Sequence, residues 1–216
     1  MTVFVVANPK GGAGKSTIAT NLAGWLAWHV GETEATPTGR AVLLGDVDRQ
    51  ESSRLWLSLR PADVPQIGQW DVEADDVSRP PRHARFAVLD TPAGLAGKRL
   101  DAVMKLADQV LVPLQPSVFD IHATQGFIDT LRARRKHSNV RIGVIANRVR
   151  EHTWAADQLR LFLDRLEVPV LGQLRDTHNY LHLAAQGLSL WDVAATKFER
   201  DQAQWQTIVH GLDVDA

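Results

Sequence analysis

Apolar residues fall along the chain in blocks of two kinds. Val3-Phe4-Val5-Val6 is an unbroken run with no polar alternation, the pattern of a strand covered on both faces, and it stops at a glycine-rich turn. Beyond that turn Ile18, Leu22, Trp25, Leu26 and His29/Val30 recur every three or four residues, which predicts a helix from near Ser16 to Val30 with one face on a sheet. The same alternation continues. Buried strands are predicted at Ala41–Leu44, Phe86–Asp90, Val110–Leu114, Ile142–Ala146 and Val168–Leu174. Helices are predicted at Ser52–Leu59, Asp120–Arg135, Trp154–Leu166, Tyr180–Gly187 and Glu199–Leu212, the last with Trp205, Ile208, Val209 and Leu212 on one face. Gly31–Arg40, rich in Gly, Thr and Pro, reads as a loop. Pro61–Arg85 reads as a solvated connection with one short strand at Val64–Ile67, acidic at Asp71, Glu73, Asp75 and Asp76 and then basic and broken by proline, with no function assigned. Strands alternating with helices predict a doubly wound, mostly parallel α/β sheet flanked by helices.

Composition narrows the class. A chain of 216 residues suits one α/β domain spanning 1–216. A net charge of −1 excludes a protein that is basic overall, so contact with nucleic acid requires a local patch. The absence of cysteine excludes disulfides and thiolate metal sites. No apolar run approaches the roughly 20 residues of a membrane span, and the first strand begins almost at the first residue, so a cytoplasmic protein is expected. The seven tryptophans are scattered and read as packing residues.

The turn after the first strand carries the chemistry. Gly11, Gly12 and Gly14 permit a loop whose backbone N–H groups close on a phosphate. Lys15 supplies a mobile cation for the β- and γ-phosphates, Ser16 a hydroxyl suited to Mg²⁺, and the following helix a positive end aimed at the same anion. Two later strands end in carboxylates, Asp46 and Asp48 after the second and Asp90 after Phe86–Leu89, at the sheet edge where open α/β folds bind ligands. Asp90 in that position suits a hydrated Mg²⁺. The acids at 46 and 48 also suit the start of a turn and the capping of the next helix, which Ser52 or Ser53 could cap instead.

Pro9 stands where the usual P-loop has glycine, and Lys10-Gly11-Gly12-Ala13-Gly14-Lys15-Ser16-Thr17 resembles the deviant Walker A box, KGGxGK[ST], of the ParA/MinD family of ATPases. The resemblance extends from Val3 to Asp192. It covers GDVDRQ at 45–50, with Gly45 in place of an apolar residue and Arg49 in place of proline, DTPAG at 90–94, PLQPS at 113–117, and VPVLGQLR at 168–175. It implies ATP and Mg²⁺ as cofactors, with Gly11, Gly12, Ala13, Gly14, Lys15, Ser16 and Thr17 on the phosphates. Ser16, Asp46 and Asp90 would serve the metal, and Asp48 the attacking water. Lys10 would reach across a nucleotide-sandwich homodimer to the partner's phosphates. Asn147 would contact adenine, its amide offering both donor and acceptor, or simply end a strand; Arg175 is the matching arginine of the segment that closes over the base.

The resemblance also implies non-specific double-stranded DNA as a partner and a ParB-like or other adaptor that stimulates hydrolysis. The clusters Arg132/Arg134/Arg135/Lys136 and Arg148/Arg150 are the candidate DNA contacts, although cations at a helix C-terminus also complement its dipole. His178 and His182 are read as surface or packing residues rather than metal ligands. The closing helix carries Glu199, Asp201 and glutamines and is followed by Asp213 and Asp215, a polar face that anionic lipid would repel. A bacterial, nucleoid-associated ATPase that positions a plasmid, a chromosome or a cytoplasmic cargo is therefore expected. With no helix-turn-helix extension, operator-specific repression is not. The alternatives are a metabolic ATP-dependent ligase or synthetase of the related P-loop group, or a MinD-like membrane-associated regulator.

Overall fold

A computed structural model describes residues 1–30, 40–73, 77–135, 139–212 and 214. The loop expected at 31–40 falls almost wholly outside them, as do Asp75, Asp76, Lys136, Asp213 and Asp215.

Seven strands form one sheet: β1 (Thr2–Val6), β2 (Val42–Asp46), β3 (Gly68–Trp70), β4 (Phe86–Asp90), β5 (Gln109–Leu114), β6 (Arg141–Val149) and β7 (Val170–Arg175), in the order β3-β2-β4-β1-β5-β6-β7. Every pairing is parallel, as continuous apolar strands with no solvated face require. From β1 the chain crosses to β2 and on to the edge strand β3, returns to β4 between β2 and β1, and then runs out on the other side of β1 through β5, β6 and β7. The winding therefore reverses beside β1, where the carboxyl ends of neighbouring strands open a crevice.

Side-chain alternation along the strands divides the core into two layers. Phe4, Val6, Phe86, Val88 and Leu111 face α1 (Lys15–Val30), α2 (Ser52–Ser58), α6 (Asn179–Ala184) and α7 (Ala195–His210), through Ile18, Leu22, Trp56, Tyr180 and Trp205. Val3, Val5, Ala87, Leu89 and Val112 face α3 (Gly97–Leu106), α4 (Val118–Arg135) and α5 (Trp154–Leu163), through Leu100, Val103, Ile128, Leu131 and Leu159. The doubly wound α/β sheet expected from the sequence is thus the observed one. The apolar face of α7, with Trp205, Ile208 and Val209 buried, is spent on packing. Among the described residues no helix is long and apolar enough to cross a membrane.

Three elements differ from expectation. The strand expected at Val64–Ile67 begins only at Gly68, because Pro65 has no N–H to donate, although Val64 and Ile67 are buried on the approach. Helix α3 was not read from the sequence, yet Leu100, Val103 and Met104 bury one face of it at helical spacing. β6 runs on through Asn147 to Val149 instead of stopping at Ala146.

The segment after α6 is fastened to the first two helices by a buried ion pair. Arg60, just past α2, donates to both oxygens of Asp192 at 2.8 and 2.9 Å, with its Nε on the Pro65 carbonyl. Asp192 also accepts from Trp28 Nε1, Ser189 N and Ser189 Oγ. Burial raises the carboxyl pKa, but Arg60 and Ser189 outweigh it and hold it below the ordinary value.

Gly45 is explained by its neighbours. A Cβ there would lie 2.9 Å from Trp70, 3.0 Å from Val72 and 3.1 Å from Leu89, so the missing side chain admits the indole of β3 into the core. Gly45→Val should therefore cost about 1–3 kcal/mol in urea unfolding through overpacking. Combined with Trp70→Ala in the same chain it should cost less than the sum of the two single changes; strict additivity would contradict the packing account.

Candidate functional site

At the carboxyl end of β1 the chain leaves the sheet through Asn8, which is 1% exposed. Its Nδ2 donates to the Pro113 carbonyl at 2.6 Å and to Thr124 Oγ1 at 3.1 Å, and its Oδ1 accepts from Lys10 N at 2.7 Å. Gly12 and Gly14 take φ of 76° and 93°, conformations that L side chains resist, and α1 starts at Lys15. Two carbonyls of the turn are held by side-chain amides in or just after other strands. That of Ala13 accepts from Asn147 Nδ2 at 2.9 Å, and that of Gly12 from Gln115 Nε2. A Cβ on Gly14 would lie 2.1 Å from Asn147 Nδ2, so glycine is required there twice over. Lys15 is 7% exposed and closes the loop by donating to the Lys10 carbonyl at 3.1 Å. Burial lowers its pKa, while Asp90 and Asp48 act in the opposite direction.

The carboxylates meet this loop in register. Asp46 pairs with Asp90 across β2 and β4, and Asp90 pairs with Val6 of β1. Asp90 is 1% exposed; one oxygen accepts from Ser53 Oγ at 2.8 Å, and the nearby Ser16 hydroxyl also favours the charged carboxylate. Its Oδ1 is buried with no hydrogen-bond partner. Burial pushes this carboxyl up to about 6, with Ser16 and Ser53 pulling it down and Asp46 pushing it further up. An unpartnered hard oxygen beside a serine hydroxyl, at the foot of an anion loop, fits Mg²⁺, which takes few protein ligands and keeps water. Ser16 and Asp90 are the residues that would hold it.

Asp46 plays the capping role that the sequence left open. Its oxygens accept from Asp48 N at 2.9 Å, Ser53 N at 2.8 Å and Arg54 N at 3.2 Å, so it caps α2 from the end of β2, while the Glu51 side chain at the N-cap caps nothing and instead accepts from Arg54 Nη1 at 2.7 Å. With those bonds made, what Asp46 gives Asp90 is a nearby negative charge and a shared serine, since Ser53 touches both. The sequence offers Ser53 only as a helix cap, not as a donor to Asp90, and gives Asn8 no role; the signal for Asn8 is a lone polar residue closing an apolar strand. Asp48 accepts from Gln50 N at 3.1 Å and lines a cavity of about 430 Å³ with Gly11, Gly12, Gly14, Lys15, Ser16, Thr17, Pro92 and Arg148. The DTPAG turn is tied back to the loop by Thr91 Oγ1 on the Val6 carbonyl at 2.9 Å and Gly94 N on the Pro9 carbonyl at 3.0 Å.

A second cavity, about 390 Å³, adjoins the first and is lined by Asn147, Arg148, Arg150, Arg175, Tyr180 and others. Here the expected base contacts are differently engaged. Asn147 is 3% exposed with its amide nitrogen on the loop. Arg175 grips the fully buried Asp201 through Nε at 2.5 Å and Nη2 at 3.0 Å, which raises its own pKa and fastens β7 to α7.

The basic clusters are largely paired: Arg132 with Glu167, Arg134 with Asp101, and Arg150 with Asp176. The side chain of Arg135 and all of Lys136 lie outside the described residues. Among the described residues no group of three His, Asp or Glu side chains could chelate a metal, and His178 serves as the N-cap of α6.

A parallel sheet with a lysine-bearing glycine loop at its winding reversal defines a phosphate-binding strand–loop–helix protein. Residues 4–190 match the CobQ/CobB/MinD/ParA nucleotide binding domain, and the chain belongs to that family. It is 28% identical over 200 residues, 89% of this chain and 88% of the relative, to maintenance of carboxysome distribution protein A of Halothiobacillus neapolitanus. Among solved structures it resembles apo McdA from Cyanothece, with a TM-score of 0.68 and 16% identity over 97% of this chain and 99% of that one. It also resembles the septum site-determining protein MinD with Mg-ADP from Pyrococcus horikoshii, with a TM-score of 0.63 and 16% identity over 96% and 93% of the two chains.

Asp90→Asn keeps the shape of the carboxyl group and removes its charge. In calorimetry it should bind ATP with the same affinity in Mg²⁺ and in EDTA, whereas the unaltered chain should bind more tightly with Mg²⁺; a preserved Mg²⁺ effect would remove Asp90 from the metal site.

Proposed function

We propose that this chain is an ATPase that dimerises when it binds ATP, holds DNA without sequence preference, and positions a cytoplasmic cargo until an adaptor protein stimulates hydrolysis. The observation that carries this reading is the division of labour between two lysines on one loop. Lys15 is turned inward onto the loop, while the ammonium of half-buried Lys10 has no partner among the described residues. A cation held at the rim of its own phosphate site, but not folded into it, suits the phosphates of a second copy. Asp48 would orient the attacking water, and Lys10 of the other subunit would neutralise charge developing in phosphoryl transfer. A site completed only by a second copy and an adaptor turns over slowly alone.

For the cargo, the likeness to a carboxysome-distribution protein favours a body of that kind; in this reading the DNA of the nucleoid is the surface along which it is placed. The surface ion pairs do not oppose DNA binding, since exposed pairs are worth about 0–1 kcal/mol and exchange readily for phosphate.

A ligase reading has one observation in its favour. A cavity of about 380 Å³ between the GDVDRQ and DTPAG loops borders Asp48 and is lined by Arg49 and Arg99, the kind of place a small carboxylate would occupy beside the γ-phosphate.

Asp48→Ala should trap an ATP-bound dimer, visible as a doubled mass in light scattering. That dimer should bind non-specific duplex DNA at low salt with ATP, not with ADP, and lose it steeply as salt rises. An Asp48→Ala chain that turns over ATP normally would remove Asp48 from the reaction. Turnover raised by small carboxylates, with no DNA binding in any nucleotide state, would favour the ligase.

A further inference from the structure

β6 does not pair evenly with β7. Ala146 faces Gln173 and Val149 faces Arg175, so two residues, Asn147 and Arg148, stand against one, Leu174. This is a β-bulge, which bends a strand and re-aims the side chains it carries. The two bulged residues are sent opposite ways. Asn147 turns inward to the Ala13 carbonyl, while Arg148 turns outward and is exposed.

Arg148 holds φ at 53°, in the left-handed region that a long side chain adopts only when its surroundings impose it. The surroundings here are the Asn147 anchor on one side and the Val149–Arg175 pairing on the other. The strain has a destination. Arg148 lines both the cavity on the phosphate loop and the cavity beside Asn147 and Tyr180, and only Thr17 shares that double placement. Its guanidinium has no hydrogen-bond or ion-pair partner among the described residues, whereas Arg150 and Arg175 in the same cavity are each committed to a carboxylate.

We infer that Arg148 is a nucleotide-binding residue, not a DNA contact: the bulge holds its guanidinium over the junction of the two cavities, where its charge meets the polyphosphate and its flat face meets the nucleoside. Arginine is suited to both tasks at once, being permanently charged and planar. The inference rests on reading the glycine loop as an ATP site.

The test uses the full chain, with ATP and ADP affinities from calorimetry, unfolding temperatures without nucleotide, and low-salt duplex DNA binding. Arg148→Gly should bind both nucleotides about tenfold more weakly, the effect of losing a charge-assisted contact. Without nucleotide it should unfold at the same temperature or higher, because glycine accepts this φ freely. Arg148→Gln, which keeps the backbone constraint and removes only the charge, should show the same loss of affinity, and Arg148→Lys should recover part of it. Undiminished nucleotide affinity in Arg148→Gln would overturn the inference, and a selective loss of DNA binding would return Arg148 to the nucleic-acid face. Failure of the unaltered chain to bind ATP would overturn the ATP-site reading along with it.

Discussion

A loop that presents backbone N–H groups to an anion must turn its carbonyls the other way, and buried carbonyls require donors. Three side-chain amides, each at the carboxyl end of a different strand, fix the turn. Asn8 at the end of β1 bonds Lys10 N, Gln115 after β5 reaches the Gly12 carbonyl, and Asn147 in β6 reaches the Ala13 carbonyl. The neighbouring strands β1, β5 and β6 are thereby registered against one another at the site as well as through their ladders. The positions of Lys15, Ser16 and the start of α1 follow from that clamp, since all three hang from the loop it holds.

On the other flank the ordering agent is charge. Burying Asp90 is unfavourable, and only one of its oxygens is compensated. The residues around it either share the burden or add to it: Ser53 donates, Ser16 and Lys15 favour its charge, and Asp46 repels. Burial is what raises this carboxyl to about 6, and a hard cation on its unpartnered oxygen would favour the charged form.

Much of this was legible in the chain because it depends on local patterns. Continuous apolar runs gave β1, β2, β4 and β5 to within a residue or two, and three glycines followed by Lys15 and Ser16 located the loop. Contacts between distant segments were not legible. Asn147 was placed near the nucleotide from its order in the chain, but no spacing rule shows that its amide grips Ala13, more than a hundred residues away, or that a bulge follows. Asp46 had two plausible roles, and its bonding to Ser53 and Arg54 is helix capping. Gly45 looked like a defect in a buried strand until Trp70 occupied the space. Helix α3 was missed because its polar residues Lys98, Arg99 and Asp101 obscure a short apolar stripe.

The two ends of α2 are held by bonds of different character. Its far end is locked by the Arg60–Asp192 pair, two full charges sealed from solvent, with Trp56 Nε1 donating to the Leu188 carbonyl as a second bolt. Its near end rests on Asp46, and through the Ser53 hydroxyl on Asp90, so it feels whatever changes the charge there. One end of the helix is thus fixed whatever the site holds, while the other shares its bonds with the carboxylates of the site.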